Sequence, residues 1–191
     1  MINGEKVKLI PATMEDRKDI YEWCFHSETT KSHSGPPDFP EIVIPTFEEF
    51  CETDKAGYMD YYFTGEKPND GRGFIITYNG ERVGFISYSC FHVKPNMADL
   101  DIWMKSEAHC GKGLGVDSLV ALSEYLEKEM NKALLILAPA AKNVRAVKAY
   151  EKAGFIETNQ PMSDFISDDQ LSLYGDGDYG VEGTAILIRF K

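Results

Sequence analysis

Apolar and polar residues alternate with two periods along the chain, and each change of period marks an element. Val7-Lys8-Leu9-Ile10 reads as a strand. Thr13-Met14-Glu15-Asp16 then supplies a cap residue and an acid three positions later, a helix-start pattern. The spacing of Ile20, Trp23 and Cys24 predicts that this helix runs for about 13 residues. Ser32–Pro45 holds four prolines and one glycine and reads as a loop. Thr46-Phe47-Glu48-Glu49 repeats the capping pattern and opens a short helix toward Cys51. From Tyr58 the pattern turns to β character. Phe74–Tyr78 and Arg82–Phe91 flank Asn79-Gly80, a dipeptide that accepts the positive φ angles of a tight hairpin turn.

Ala98–Met104 alternates strictly, with Ala98, Leu100, Ile102 and Met104 on one face and Asp99, Asp101 and Trp103 on the other. This is a strand that carries carboxylates on one side. The glycine-rich turn Gly111-Lys112-Gly113-Leu114-Gly115 leads into a helix over Val116–Met130, striped by Val116, Leu119, Val120, Ser123 and Leu126. Ala133–Leu137 is a short apolar strand, Asn143–Ala153 a helix stopped by Gly154, and Thr184–Phe190 the last strand. Strand, glycine turn, helix, strand, helix is an α/β core. With no internal repeat or linker, residues 1–191 are expected to form one domain.

Composition narrows the partners. The chain is 43% hydrophobic and 27% charged, ordinary for a folded protein, and its net charge is −11. A binder of phosphate backbones needs a basic face, so nucleic acid is not an expected partner and a cationic one fits better. No apolar run approaches the ~18 residues of a membrane span and Met1–Ile10 has no signal-peptide core, so no membrane partner and a cytoplasmic location are expected. Cys24, Cys51, Cys90 and Cys110 are scattered, and His26, His33, His92 and His109 lack ligand spacing, so free thiols and no metal are expected.

The glycine turn is the sharpest local feature. Gly111, Gly113 and Gly115 remove side chains where a strand hands over to a helix, which frees backbone N–H groups to hold an anion such as a pyrophosphate. It matches neither a Walker loop nor the dinucleotide pattern, and a plain glycine-rich turn is the other reading. Cys110, at a helix N-terminus, is expected to have a lowered pKa, but as a nucleophile it is a weak idea.

Downstream, Asn143, Ala146, Tyr150, Gly154 and Phe155 stand in the order Asn-x-x-Ala-x-x-x-Tyr-x-x-x-Gly-Phe. Together with the glycine turn, they make the chain resemble the GCN5-related N-acetyltransferase (GNAT) superfamily. That superfamily's acetyl-CoA signature pairs this segment with Arg/Gln-x-x-Gly-x-Gly/Ala. Gly113 and Gly115 match, while Cys110 stands where Arg or Gln is usual. Ile20-Tyr21-Glu22-Trp23, Leu100-Asp101, Arg145-Ala146 and Tyr150–Phe155 make the resemblance closest to the aminoglycoside 6′-N-acetyltransferases. It implies an α/β (α+β) fold with one mixed, mostly antiparallel sheet, about four flanking helices and a splayed central strand pair forming the acetyl-CoA cleft. It implies acetyl-CoA as cosubstrate, a small cationic amine as acceptor, and a monomer or homodimer.

The same resemblance implies roles for residues. A substrate amine attacks the thioester directly, which calls for a base, a carbonyl-polarising donor and a proton donor for the leaving thiolate. Asp101 is the implied base, with Asp99 beside it expected to repel it as an anion and raise one pKa. Tyr150 is the implied acid. Backbone N–H groups near Trp103 and Met104, at an expected bulge, would polarise the carbonyl. Cys110, Gly111, Lys112, Gly113, Leu114, Gly115, Asn143, Ala146 and Lys152 are the other implied cofactor contacts, and Asp99 and Trp23 the implied substrate contacts.

Charge argues separately for a polycationic acceptor. Glu157 to Ile188 holds seven acids and no Lys or Arg, while Asp38 to Asp60 holds seven acids and only Lys55. A negative field at the acceptor end would concentrate a polyamine or aminosugar. Solubilising surface is the other reading of these acids, and a protein N-terminus, a lysine or a polyamine such as spermidine as acceptor, or a CoA-binding sensor without turnover, remain alternatives to the aminosugar.

Overall fold

A computed structural model describes residues 1–29, 44–52 and 59–191. Most of the loop read over Ser32–Pro45, the start of β character at Tyr58, and the acids Asp38, Glu41 and Asp54 lie outside the described residues.

Among the described residues eight strands form one sheet: β1 (Ile2–Asn3), β2 (Lys8–Pro11), β3 (Gly71–Tyr78), β4 (Glu81–Ser89), β5 (Met97–Met104), β6 (Leu134–Leu137), β7 (Ile156–Thr158) and β8 (Ile186–Phe190). Their order is β1-β2-β3-β4-β5-β6-β8-β7, and the β5–β6 pair alone is parallel. A parallel pair needs a crossover, and the helix after the glycine turn supplies it. The hairpin between β3 and β4 turns at Asn79 and Gly80, with φ of 50° and 80°, as that dipeptide predicts.

Six helices are present among the described residues: α1 (Arg17–Phe25), α2 (Phe47–Cys51), α3 (Tyr61–Thr64), α4 (Leu114–Lys128), α5 (Val144–Lys152) and α6 (Leu171–Tyr174). The expected number was about four, and the excess consists of single turns. The Asp16 carboxylate accepts from the Thr13 N–H at 2.7 Å, and a 3-10 turn at Met14–Asp16 leads straight into α1. Glu49 accepts from the Thr46 N–H at 2.8 Å to start α2. Tyr61–Thr64 departs from the expected β character. Its aromatic residues are buried against the sheet, and the turn stops at Gly65 with φ of 73°. Strands β1 and β7, of two and three residues, carry too little alternation to be read from sequence.

The alternation along β5 divides the core. Ala98, Leu100, Ile102 and Met104 pack with Leu119, Leu122 and Leu126 of α4 and with Tyr150, while Trp103 packs on the opposite face with Phe85, Ile20 and Phe50. Helix α4 begins two residues earlier than expected because Gly113, at φ 79°, already caps it. Its buried stripe runs through Leu114, Leu119, Leu122 and Leu126, and Val116 and Val120 are only partly covered.

Arg189 of β8 ties this layer together. Its Nε donates to Glu127 of α4 at 2.7 Å and its Nη1 to the Ala153 carbonyl at 2.8 Å. Arg189→Leu strands a largely buried carboxylate. It is expected to cost about 2 kcal/mol, allowing for partial exposure, and to lower Tm by roughly 4–8 °C in thermal unfolding. No helix among the described residues is long and apolar enough to cross a membrane.

Candidate active site

Strands β5 and β6 pair only through Met97–Asp99 and Leu134–Ile136, so beyond Asp99 they part. A cleft of about 1090 Å³ opens in that splay, floored by Asp99–Met104 and walled by the glycine turn, α5 and the segment around Tyr174–Tyr179. The bulge expected in β5 is absent. β5 pairs with β4 without a break from Asp99 to Met104, and the register shift in the sheet lies between Ile76 and Thr77 of β3. The loss of pairing with β6, rather than an extra residue, exposes the backbone here. The Lys105 N–H donates to the Val83 carbonyl at 2.9 Å. Antiparallel alternation then turns the Trp103 N–H toward β4 and the N–H groups of Ile102 and Met104 into the splay. Trp103 thus lines the cleft but does not offer it a backbone donor, which narrows the expected pair to Met104 and adds Ile102.

One arm of the cleft is open and cationic. Gly111 and Gly113 hold φ of 71° and 79°, and a Cβ at Gly111 would meet nothing within 4 Å, so the turn leaves open space instead of packing on itself. The first N–H groups of α4 have no intrahelical acceptor and point out of its positive end. Lys112, Arg145, Lys148 and Lys152 line the same arm, the last three from one face of α5. The Asn143 side chain accepts from the Ala146 N–H at 3.1 Å and so fixes the start of that helix. Residues and space together fit a long polyphosphate-bearing group. Arg145 is already engaged, its guanidinium gripping Glu107 with two bonds of 2.6 and 2.9 Å.

The other arm is acidic and aromatic. Asp99, Asp101 and Asp178 line it, with Tyr62, Phe91, His92, Tyr174 and Tyr179. The Asp99 carboxylate meets His92 Nε2 at 3.1 Å, and Ser89, its partner across the sheet, is hydrogen-bonded to the Tyr62 phenol. Tyr150 is buried at the junction of the arms. Burial, and then the charge of Asp101, push its phenol well above the usual tyrosine range, so it stays protonated. Tyr179 is shifted the same way by burial and by Asp101.

Every sequence-derived site residue but one lines this cleft: Asp99, Asp101, Trp103, Met104, Cys110 through Gly115, Asn143, Ala146, Tyr150 and Lys152. Trp23 does not. It is buried under α1 in the aromatic cluster that holds Trp103, on the face of β5 that also carries Asp99 and Asp101 but outside the cleft, with Arg82 and Lys105 over its ring at 5.3 and 5.9 Å. The lowered pKa expected for Cys110 is also overturned: burial pushes the thiol up against the pull of Arg145, and its Sγ lies 3.7 Å from the Ser106 carbonyl. The cysteines are free, with Cys24 buried and the other three half-buried. No group of three or more His, Cys, Asp or Glu that could hold a metal occurs among the described residues.

Sequence reasoning missed Arg145 and Lys148 as cleft residues, although their spacing with Lys152 puts all three on one helical face. It also missed His92, Tyr174, Asp178 and Tyr179, for which no local pattern exists, because distant segments bring them together.

The chain matches the family model of the acetyltransferase (GNAT) domain over residues 6–156. It is 26% identical over 163 residues to an aminoglycoside N(6′)-acetyltransferase type 1 of Klebsiella pneumoniae, covering 80% of this chain and 75% of that protein. Its fold superposes on aminoglycoside acetyltransferase AAC(6′)-Ib, solved with coenzyme A and kanamycin, at a TM-score of 0.66 and 20% identity, over 97% of this chain and 95% of that one. The spermidine N-acetyltransferase of Vibrio cholerae, solved with CoA and spermine, gives a TM-score of 0.66 at 18% identity, over 97% and 95% of the two chains.

Proposed function

The chain belongs to the GNAT acetyltransferase family and is an acyltransferase. From that premise we propose that it transfers the acetyl group of acetyl-CoA directly to a primary amine of a small polycationic acceptor, the 6′-amino group of an aminoglycoside-type aminosugar. The observation that carries this reading is the two-signed cleft, with a glycine turn and cations in one arm and three aspartates in the other, joined where β5 and β6 part.

The cosubstrate supplies a thioester carbonyl, an electrophile that an amine attacks without an acyl-enzyme. Gly111–Gly115 and the α4 N-terminus hold its pyrophosphate, with Lys112, Lys148 and Lys152 adding charge. The Met104 N–H, with that of Ile102, is the donor for the carbonyl oxygen, where developing negative charge meets a fixed dipole. Asp101 accepts the ammonium proton. The second proton, shed by the nitrogen as it becomes an amide, goes to the leaving sulfur, and Tyr150, a phenol whose pKa stands far above the ~8.5 of a thiol, keeps its own proton and steadies that sulfur by donating a hydrogen bond, in place of the acid role expected of it.

The aminosugar is favoured over other amines by the named relative and by the acids of the open arm. The test is thiol release from acetyl-CoA with kanamycin, its 6′-hydroxy counterpart, spermidine and a peptide with a free N-terminus. Release with kanamycin and none with the 6′-hydroxy compound is the expected result. Release with spermidine or the peptide alone would replace the acceptor and keep the chemistry. No release from any, with acetyl-CoA still bound, would remove these acceptors and leave an unknown substrate or a CoA-binding sensor.

A further inference from the structure

His92 is the one buried histidine of the cleft, its side chain only 6% exposed. Its backbone carbonyl accepts from both the N–H and the hydroxyl of Ser167, at 2.9 and 3.1 Å. Its ring packs against those of Phe91 and Tyr174, each centroid 4.7 Å away, and these two rings also meet each other edge-on at 5.8 Å. Among the described residues Nδ1 is buried and has no partner, and the polar contact of the ring is Nε2 to Asp99. An ionised carboxylate only accepts, so Nε2 carries the proton and donates it. A histidine kept only for packing would have no need to direct its one hydrogen bond at a carboxylate in the cleft.

Asp99 and Asp101 point to the same face of β5, two residues and therefore roughly 7 Å apart. Asp99 is the last residue of β5 to pair with β6 and Asp101 lies beyond it, which puts Asp101 inside the splay and Asp99 at its edge. We propose that His92 is a positioning residue that fixes the Asp99 carboxylate, through Nε2–H, as the receptor for a second, non-reacting ammonium of the acceptor. The proposal rests on the reading of the cleft as a site for a polycationic amine and adds its specificity element. Pinning one oxygen orients the other toward the cleft, so the carboxylate need not be ordered at the expense of binding energy when the acceptor arrives.

The test is calorimetric binding to the CoA-loaded protein, with kanamycin as polyamine and methyl 6-amino-6-deoxyglucoside as monoamine. His92→Phe keeps the ring packing and removes the donor. It is expected to weaken kanamycin about tenfold and to leave the monoamine and CoA unchanged. His92→Gln, which can still donate to Asp99, should restore most of the affinity. Asp99→Asn should lose at least as much as His92→Phe, and the double variant no more than Asp99→Asn alone. Unchanged kanamycin affinity in His92→Phe or Asp99→Asn, equal weakening of the monoamine, or no kanamycin binding by the unaltered protein would each overturn the proposal. Because binding is read without turnover, a protein that binds kanamycin in this pattern and releases no thiol would sink the proposed acetyl transfer to the aminosugar alone.

Discussion

Asp101→Asn is expected to lower kcat by about 10²- to 10⁴-fold, the usual contribution of a positioned base, with acetyl-CoA affinity unchanged. The side chain keeps its size and its place on β5, in the floor of the cleft beside the buried Tyr150. What it loses is the charge that takes the ammonium proton. If Asp101 instead only attracted the cationic acceptor, the loss would fall on KM and leave kcat alone, so steady-state kinetics separates the two roles. Tyr150→Phe offers the contrast. It removes a hydrogen bond to the leaving sulfur and no base, so its loss of kcat should be smaller, about 10-fold. A kcat equal to that of the unaltered enzyme in Asp101→Asn would end its assignment as the base.

Gly113→Asp is expected to weaken acetyl-CoA binding by about 10- to 100-fold, read by titration calorimetry. Two effects combine. Gly113 sits at φ 79°, where an L-residue is strained by roughly 1–2 kcal/mol, and the new carboxylate stands at the helix end that receives the pyrophosphate. The protein itself has room for the side chain, since the nearest atom to a Cβ there is the Lys6 Nζ at 3.4 Å. The fold should therefore survive while the cofactor is lost. Gly113→Ala separates the effects, because it carries the strain without the charge, and it should lose only part of the affinity. Equal affinity in Gly113→Asp and the unaltered protein would show that the pyrophosphate lies elsewhere.

Where a residue's job is local, the sequence carried it. Asn79-Gly80 turned the hairpin, Thr46 and Glu49 capped a helix, Asn143 capped another and Gly154 ended it at φ 89°. The strict alternation of Ala98–Met104 placed Asp99 and Asp101 on one face before any partner strand was known. Charge was legible only in bulk. The count of acids pointed to a cationic partner, while which acids face the cleft depended on where the chain around Asp178 comes to rest.

The errors have a common origin. Trp23 stands in a matching stretch, but α1 packs it into the core with Trp103 and Phe85, beneath Arg82 and Lys105 and away from the cleft. Cys110 was expected to ionise more easily because it precedes a helix, but burial outweighs that field. Tyr61–Thr64 was given β character by its aromatics, yet one helical turn suffices to lay them on the sheet.

By itself the sequence determined the order and type of the long elements, the glycine turn before α4 and the family, since each follows from spacing over a few neighbouring residues. Only the tertiary structure decided that β5 and β6 part after Asp99, that Met104 and Ile102 rather than Trp103 turn their N–H groups into the gap, and that His92 grips Asp99. Those outcomes depend on which strands pair, where pairing stops and which distant segments pack over the opening, and no local pattern of residues encodes them.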